Sequence, residues 1–363
     1  MIGRADRRRR GEHEISSSKP SEADEQSGAA PAGVNINQED IALDVFAQLM
    51  ARPGALSVVT QEYHDIRRLD PSDAECKAMR AHAAHNRYKD IKCFDATRVL
   101  VRPEPPDFPF DYVHANWVDG YDQEKQFICC QGATQQTVGQ FWRMVWQEQV
   151  VVIVSLTKLG GPRCMLYFPA VQGQKEMYAN VEVMNRGVTH KESYEACSLH
   201  IMKNGMRRRC LHLTYYAWPD KGTPDNAAAL IAFIDNVNYN AAELVRDGIR
   251  SQYLDQSRLH PIVVHCSAGV GRTGTLVALQ IACRQMCDTA KRTGAAQISL
   301  ARIVCDLRQQ RHEMVQRVEQ YVFLHMAVLE YALRKGFVQP RYVNVAAFFK
   351  RVQTAMRRDE EEN

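Results

Sequence analysis

Cys266 and Arg272 stand with five residues between them in the stretch "HPIVVHCSAGVGRTG" (260–274), with glycines at 269, 271 and 274. An apolar run precedes them and a helix-forming run starts near Thr273. Glycines let successive backbone N–H groups turn inward and form an anion-binding nest. A helix N-terminus adds unsatisfied donors and the positive end of its dipole. The planar fork of Arg272 can hold two oxygens of one phosphate. The backbone of Ser267, Ala268, Gly269, Val270, Gly271 and Arg272 would thus surround a dianion placed directly over Cys266 Sγ. The same field favours the thiolate. A free cysteine with pKa about 8.5 is only about 3 % ionised at pH 7, and lowering it by about three units takes about 4 kcal/mol. Thr273 is placed to add a hydrogen bond to the sulfur. A loop that activates a nucleophile and binds a dianion above it suits phosphoryl transfer; an acyl group would need no such ring of donors.

Spacing alone is a weak signal. Cys305 and Arg311 repeat it in "CDLRQQR" without any glycine and with helical period, and that segment reads as ordinary helix. The competing reading of Cys266, a buried structural cysteine beside a glycine-rich turn, is disfavoured by the full string HCSAGVGRTG.

That string resembles the signature loop of the classical protein tyrosine phosphatases, and further stretches follow in the family's order. "HNRYKDI" (85–91) resembles the phosphotyrosine-recognition loop, and "WPDKGTP" (218–224) the mobile acid loop. "QRVEQ" (316–320) is similar to the water-positioning loop; "DYVHANWVDG" (111–120), "FICCQGA" (127–133) and "FWRMVW" (141–146) are similar to framework segments. The resemblance implies hydrolysis of phosphotyrosine in proteins through a phosphocysteine intermediate, without metal or cofactor. Cys266 would be the nucleophile and Arg272 the phosphate clamp. Tyrosine phenolate leaves poorly unless protonated, so Asp220 would act as general acid and then deprotonate water, on a loop that closes like a lid. Trp218 would support that loop. Gln316 would orient the water, with help from Gln320. Tyr88 would stack on the substrate ring and wall a pocket too deep for phosphoserine. Asp90 would hold the peptide backbone, Lys89 would favour acidic flanking residues, and His265 would order the signature loop rather than act as base. Taken alone, Asp220 in "PDKG" reads as a turn residue and Tyr88 as a core aromatic; the family placement reverses both readings.

One departure stands out. "LTKLGGPRCMLYFP" (156–169) is shorter than its family counterpart and holds no acid, where members usually carry a glutamate that braces the signature arginine. A less rigid Arg272 and lower activity are expected from this. Milder departures are Arg163 for lysine, Phe168 for tryptophan, Ala133 for proline and Arg317 for threonine. The compact outline resembles most the tyrosine phosphatases of wasp-associated bracoviruses, a mixed group in which some members lack the nucleophile; this chain keeps Cys266, Arg272, Asp220 and Gln316.

The elements that must position these residues alternate along the chain. Short β-rich runs read as strands: "TRVLV", "YVHANWV", "QFICCQ", "VVVIVSLT", "RCMLYFP" and "RRCLHLTYYAW". Helical period marks "QEDIALDVFAQLMAR", which Asn37 would cap, together with "AECKAMRAHAAH", "TVGQFWRMVWQEQ", "DNAAALIAFIDNVNYNAAELVR", "TLVALQIACRQMCD", "SLARIVCDLRQQR" and "VEQYVFLHMAVLEYALR". This interleaving makes one α/β domain over 36–336, opening with a helical segment at 36–75. The family resemblance adds a highly twisted mixed sheet flanked by helices on both faces, with the phosphate-binding loop between a strand and a helix. Residues 1–35 read as a disordered polar tail, and 337–363 as a basic amphipathic helix with an acidic end that packs on its own domain rather than on a membrane.

Composition bounds the rest. The chain has 363 residues, 45 % of them hydrophobic, with a formal charge of +4. That charge is too mild to imply nucleic-acid binding, and no run of eighteen apolar residues offers a membrane span. Eleven cysteines without a framework, a CxxC pair or zinc spacing indicate a reducing, cytoplasmic setting. The arginines at the N-terminus have no apolar run behind them, unlike a secretory signal. Arg7 to Arg10 read as a solvated charge run in preference to a nuclear-import patch. Two other functions remain open: a phosphotyrosine-binding module that captures without turnover, favoured by the shortened loop, and a dual-specificity or RNA 5′-phosphatase, disfavoured by length and by Tyr88.

Overall fold

A computed structural model describes residues 37–70, 75–219, 222–224 and 227–340. The expected N-terminal tail with Arg7–Arg10, the C-terminal basic run and Asp220 lie outside the described residues.

The chain begins with β1 (Ile41–Ala42), α1 (Leu43–Ala51) and α2 (Ala55–Arg68). The single helix expected from Gln38 to Arg52 is therefore shorter. Ile41 and Ala42 pair antiparallel with residues 297–298, and Asn37 accepts from Glu39 N at 3.0 Å instead of capping a helix. Next come α3 (Lys77–Ala81) and a 3₁₀ turn (Ala83–His85). Both carboxylate oxygens of Asp95 accept the first free amides of α3, from Lys77 and Ala78, at 2.7 and 3.2 Å.

Then follow β2 (Arg98–Leu100), β3 (Tyr112–Val118), β4 (Phe127–Cys130), α4 (Val138–Gln147) and β5 (Val152–Ser155). The run "RCMLYFP" is not a strand. Met165 N bonds Ala133 O at 3.1 Å, and Tyr167 O accepts the Trp142 indole at 2.7 Å, so its main chain is anchored from outside a sheet ladder. A meander comes next, of which the pattern announced only the last strand: β6 (Lys175–Tyr178), β7 (Val181–His190), β8 (Tyr194–Lys203) and β9 (Met206–Tyr215). Finally there are α5 (Ala227–Arg250), β10 (Ile262–His265), α6 (Gly271–Thr293), β11 (Gln297–Ile298), α7 (Leu300–Gln310) and α8 (Val318–Arg334).

Nine strands form one mixed sheet in the order β2-β3-β4-β10-β5-β9-β8-β7-β6. The β4, β10, β5 and β9 pairings are parallel and the others antiparallel. Alternation sends Phe127, Cys129, Val152, Val154, Ile262 and Val264 to one face, where α5, α6 and α8 pack. Ile128, Cys130, Ile153 and Val263 go to the other, under Phe141, Trp142 and Val145 of α4. The central strands are buried on both faces, as parallel strands require. Ligands of such sheets bind beyond the carboxyl ends of the parallel strands; here β10 ends at His265, directly before Cys266.

Candidate active site

The strand β10 delivers Cys266 and α6 begins at Gly271, so residues 266–270 form the bend between them. Cys266 is 6 % exposed, and its Sγ accepts the Gly269 N–H at 3.3 Å. Gly269 has φ +74°, and a Cβ there would lie 1.9 Å from Cys130 O. Only glycine serves at that point.

The carbonyls of the loop are all engaged from outside. His265 O accepts Leu156 N at 2.9 Å, Ser267 O accepts Gly132 N at 2.8 Å, and Val270 O accepts Gly274 N at 2.8 Å and Val315 N at 3.2 Å. Arg311, fully buried, donates from Nη2 to Ala268 O at 3.0 Å and from Nε to Gly269 O at 2.7 Å. Its Nη1 is fixed by Asn116 Oδ1 at 2.7 Å. With the carbonyls pulled outward, the N–H groups of Ser267, Ala268, Val270 and Gly271 have no acceptor among the described residues. This is the nest expected from the glycines. Arg311, read from sequence as ordinary helix, sits just past the end of α7 and shapes the loop.

His265 belongs to a buried chain of hydrogen bonds. Its Nδ1 lies 3.1 Å from Cys266 O, and its Nε2 lies 2.6 Å from Tyr167 Oη. A carbonyl can only accept, so Nδ1 carries the proton and Nε2 accepts from the tyrosine. Tyr167 Oη then accepts from His212 Nε2 at 2.6 Å, and His212 Nδ1 accepts from Thr214 Oγ1 at 3.3 Å. Burial lowers the His265 pKa to about 4 and drives that of His212 well down, so both rings are neutral. His265 orients the loop carbonyl, and its nitrogens are occupied.

Other cysteines meet a different fate. Burial pushes Cys129 and Cys164 up to about 12 and Cys93 up to about 11, which keeps them protonated. All eleven cysteines are free thiols.

The guanidinium of Arg272 donates to Leu156 O at 2.9 Å and to Pro219 O at 2.7 Å. Two main-chain carbonyls therefore hold it in a chain that lacks the family's bracing glutamate, and one of them belongs to the acid loop. Trp218 anchors that loop: it is 3 % exposed, packs near Phe323 and donates to Gly222 O at 3.2 Å. The hydroxyl of Thr273 does not reach the sulfur as expected. It is buried and has no hydrogen-bond partner among the described residues.

The recognition loop is tied to the segment after β4 by Arg87. Its N, Nε and Nη2 donate to Gln131 Oε1, Gly132 O and Ala133 O at 2.8, 2.9 and 2.8 Å. Ser267 Oγ gives its proton to Arg163 O, so Tyr88 donates to Ser267 Oγ at 2.9 Å. Tyr88 is 39 % exposed, and Cys266, next to its partner Ser267, is buried. Lys89 and Asp90 are exposed beside it.

Residues 314–316 close the opposite side. Arg308, 2 % exposed, bonds Met314 O and Val315 O at 3.0 and 3.1 Å, and Tyr63 of α2 donates to Gln316 O. These contacts sustain Val315 at φ +58°, unusual for a β-branched residue. Gln320 Oε1 accepts Arg317 N at 3.2 Å, and its amide lies against Gly271, where a Cβ would stand 2.9 Å from Nε2. The structure thus gathers Cys266, Arg272, Tyr88, Trp218, Gln316 and Gln320 around one loop.

The sequence model of the family described as protein-tyrosine phosphatase matches residues 82–330. The chain belongs to that family. Among its curated relatives, tyrosine-protein phosphatase non-receptor type 9 of Mus musculus is 36% identical over 287 residues, covering 77% of this chain and 47% of that protein. Receptor-type tyrosine-protein phosphatase R of Mus musculus is 39% identical over 251 residues, 68% of this chain and 35% of that one. Tyrosine-protein phosphatase non-receptor type 7 of Homo sapiens is 36% identical over 254 residues, 69% of this chain and 65% of that one. The chain therefore spans less than half of the first two relatives and about two thirds of the third. No helix among the described residues is long and apolar enough to cross a membrane.

Proposed function

We propose that this phosphatase hydrolyses phosphotyrosine in proteins through a phosphocysteine intermediate. The observation that carries the reading is the open nest: four loop N–H groups without acceptors, arranged around Cys266 by Arg311 and flanked by Arg272. A phosphoryl group bound there presents phosphorus to the sulfur. In the first step the Cys266 Sγ–P bond forms and the P–O bond to tyrosine breaks, with Asp220 protonating the departing phenolate. In the second, Asp220 takes a proton from a water oriented by Gln316 and Gln320; the water oxygen bonds phosphorus and the thiolate leaves. Arg272 and the loop donors hold the charge that gathers on the equatorial oxygens. The mechanism calls on no metal or cofactor. Tyr88 stands over the pocket as stacking wall, with Asp90 holding the peptide backbone and Lys89 favouring acidic neighbours.

A cytoplasmic setting belongs to the same proposal, supported by eleven free thiols. The narrower kinship with bracovirus tyrosine phosphatases belongs to it as well, and rests on the compact outline with "WPDKGTPDNAAALIAFID" after the strand.

The test is a pair of variants assayed on tyrosine phosphopeptides. Cys266→Ser should abolish turnover while peptide binding survives. Asp220→Ala should bind like the parent and lose most of its rate, giving a substrate trap. Full activity in Cys266→Ser, or the parental rate in Asp220→Ala, would refute the assigned roles.

A further inference from the structure

A second basic cavity lies at the other end of the sheet. Cys266 follows the carboxyl end of β10, whereas Arg258 precedes its start and Arg208 lies ahead of the residues of β9 that pair with β5. A cavity of about 320 Å³ opens there, within the range of small-ligand sites. Arg102, Arg143, Lys203, Arg208 and Arg258 line it, and Glu104 is the one acid in its wall among the described residues. Glu104 is committed to Lys203 at 2.7 Å and Arg143 at 3.6 Å, and Arg258 pairs outside the wall with Glu148 at 3.2 Å. Two carboxylates face five cations.

Both amino groups of Arg143 are engaged, by Gln140 Oε1 and Arg102 O, but other donors of the wall are not satisfied. Arg143 is 2 % exposed, yet its Nε is buried without a hydrogen-bond partner, and so is the Nε of Arg208. The Arg208 guanidinium is stacked 4.0 Å over Trp146 and fixed by Trp146 O at 2.7 Å. The Arg102 side chain has no partner among the described residues. A guanidinium N–H left unpaired in a buried position is costly, and preorganised guanidinium forks match phosphate oxygens. A single carboxylate could not answer donors that approach from β9, α4 and the segment after β2. A compact ligand with several phosphates could.

We propose that this cavity is a second anion site that takes a multiply phosphorylated small molecule of the inositol-phosphate kind, either free or as a lipid headgroup. The site is separate from the catalytic loop and does not depend on the reaction assigned above.

The test uses the full chain with the catalytic loop blocked by orthovanadate. Inositol hexakisphosphate is titrated by calorimetry, and sedimentation with phosphatidylcholine vesicles is measured with and without a polyphosphoinositide. One-to-one saturable binding is expected, weakened about tenfold in Arg102→Gln and in Arg208→Gln, and further in the double variant. Arg102→Gln, which removes a side chain without a partner among the described residues, should keep the parental thermal midpoint. Sedimentation that requires the phosphoinositide and is lost in the double variant would assign the headgroup as the source. Binding of the soluble ligand alone would assign the free molecule. The proposal is overturned if the blocked protein shows no saturable binding or if the double variant binds as tightly as the parent. It is also overturned if single-stranded RNA binds equally well and independently of Arg102 and Arg208.

Discussion

Arg311 shows how a residue remote from the substrate can decide what the substrate meets. Its two donors to Ala268 O and Gly269 O turn those peptide planes so that the N–H edges face inward. Arg311 touches no reacting atom; it is a positioning residue. Replacing it by methionine leaves two loop carbonyls and Asn116 Oδ1 unpaired in a buried setting, at a cost of about 1–3 kcal/mol for each. We expect Arg311→Met to lower kcat/KM at least about a hundredfold and to weaken vanadate binding in parallel, with Arg311→Lys recovering part of both. Parental vanadate affinity in Arg311→Met would contradict the role. His265 gives a second prediction at this scale. Its folded pKa, about 4, lies below the ordinary 6.5, so as pH falls the unfolded chain takes up its proton first. The contribution of His265 is complete above about pH 6.5 and is lost towards pH 4, amounting to about 3 kcal/mol. The thermal midpoint of His265→Gln should therefore fall less steeply than that of the parent between those pH values. Equal slopes would show that the buried ring takes up its proton at the ordinary pH, as the unfolded chain does.

At the level of elements, the site depends on loops from distant parts of the chain meeting at one edge. Gly274, in the first turn of α6, lets the segment 314–316 approach so closely that a Cβ would lie 2.3 Å from Val315 N. Gly274→Ala should push that segment off the signature loop, destabilise the fold by about 1–3 kcal/mol and displace Gln316. Chemical denaturation and the rate of phosphoenzyme hydrolysis measure the two effects; an unchanged hydrolysis rate would separate Gln316 from the water step. This contact also shows why parts of the site were legible in the sequence and others were not. The signature loop is contiguous and its glycines advertise their backbone, so strand, nest and helix could be read directly. Arg311 and Arg308 act only through tertiary placement, and in the sequence they look like residues of a polar helix. The strand misread at "RCMLYFP" has β-like composition, but Trp142 and Ala133 take its main-chain groups first. Within the unread meander, the outer strand β6 is largely exposed and lacks a clear apolar alternation.

At the scale of the whole molecule, the parallel core of the sheet separates two ends with different chemistry. Its carboxyl end gathers the signature loop, the acid-loop anchor Trp218, the recognition loop held by Arg87, and the 314–316 segment held by Arg308 and Tyr63. Its amino end gathers the basic cavity. The central claim takes its sharpest form at the first site, where Cys266 is 6 % exposed and Tyr88, bonded to the neighbouring Ser267, is 39 % exposed. The proposed function requires that a phenyl ring carry its phosphate down to Cys266 and that a serine methylene fall short. The most direct measurement is kcat/KM on one phosphotyrosine peptide and its phosphoserine twin, with EDTA present throughout. The account predicts efficient turnover of the tyrosine peptide alone. Tight binding of that peptide without turnover, or equal turnover of both, would contradict it.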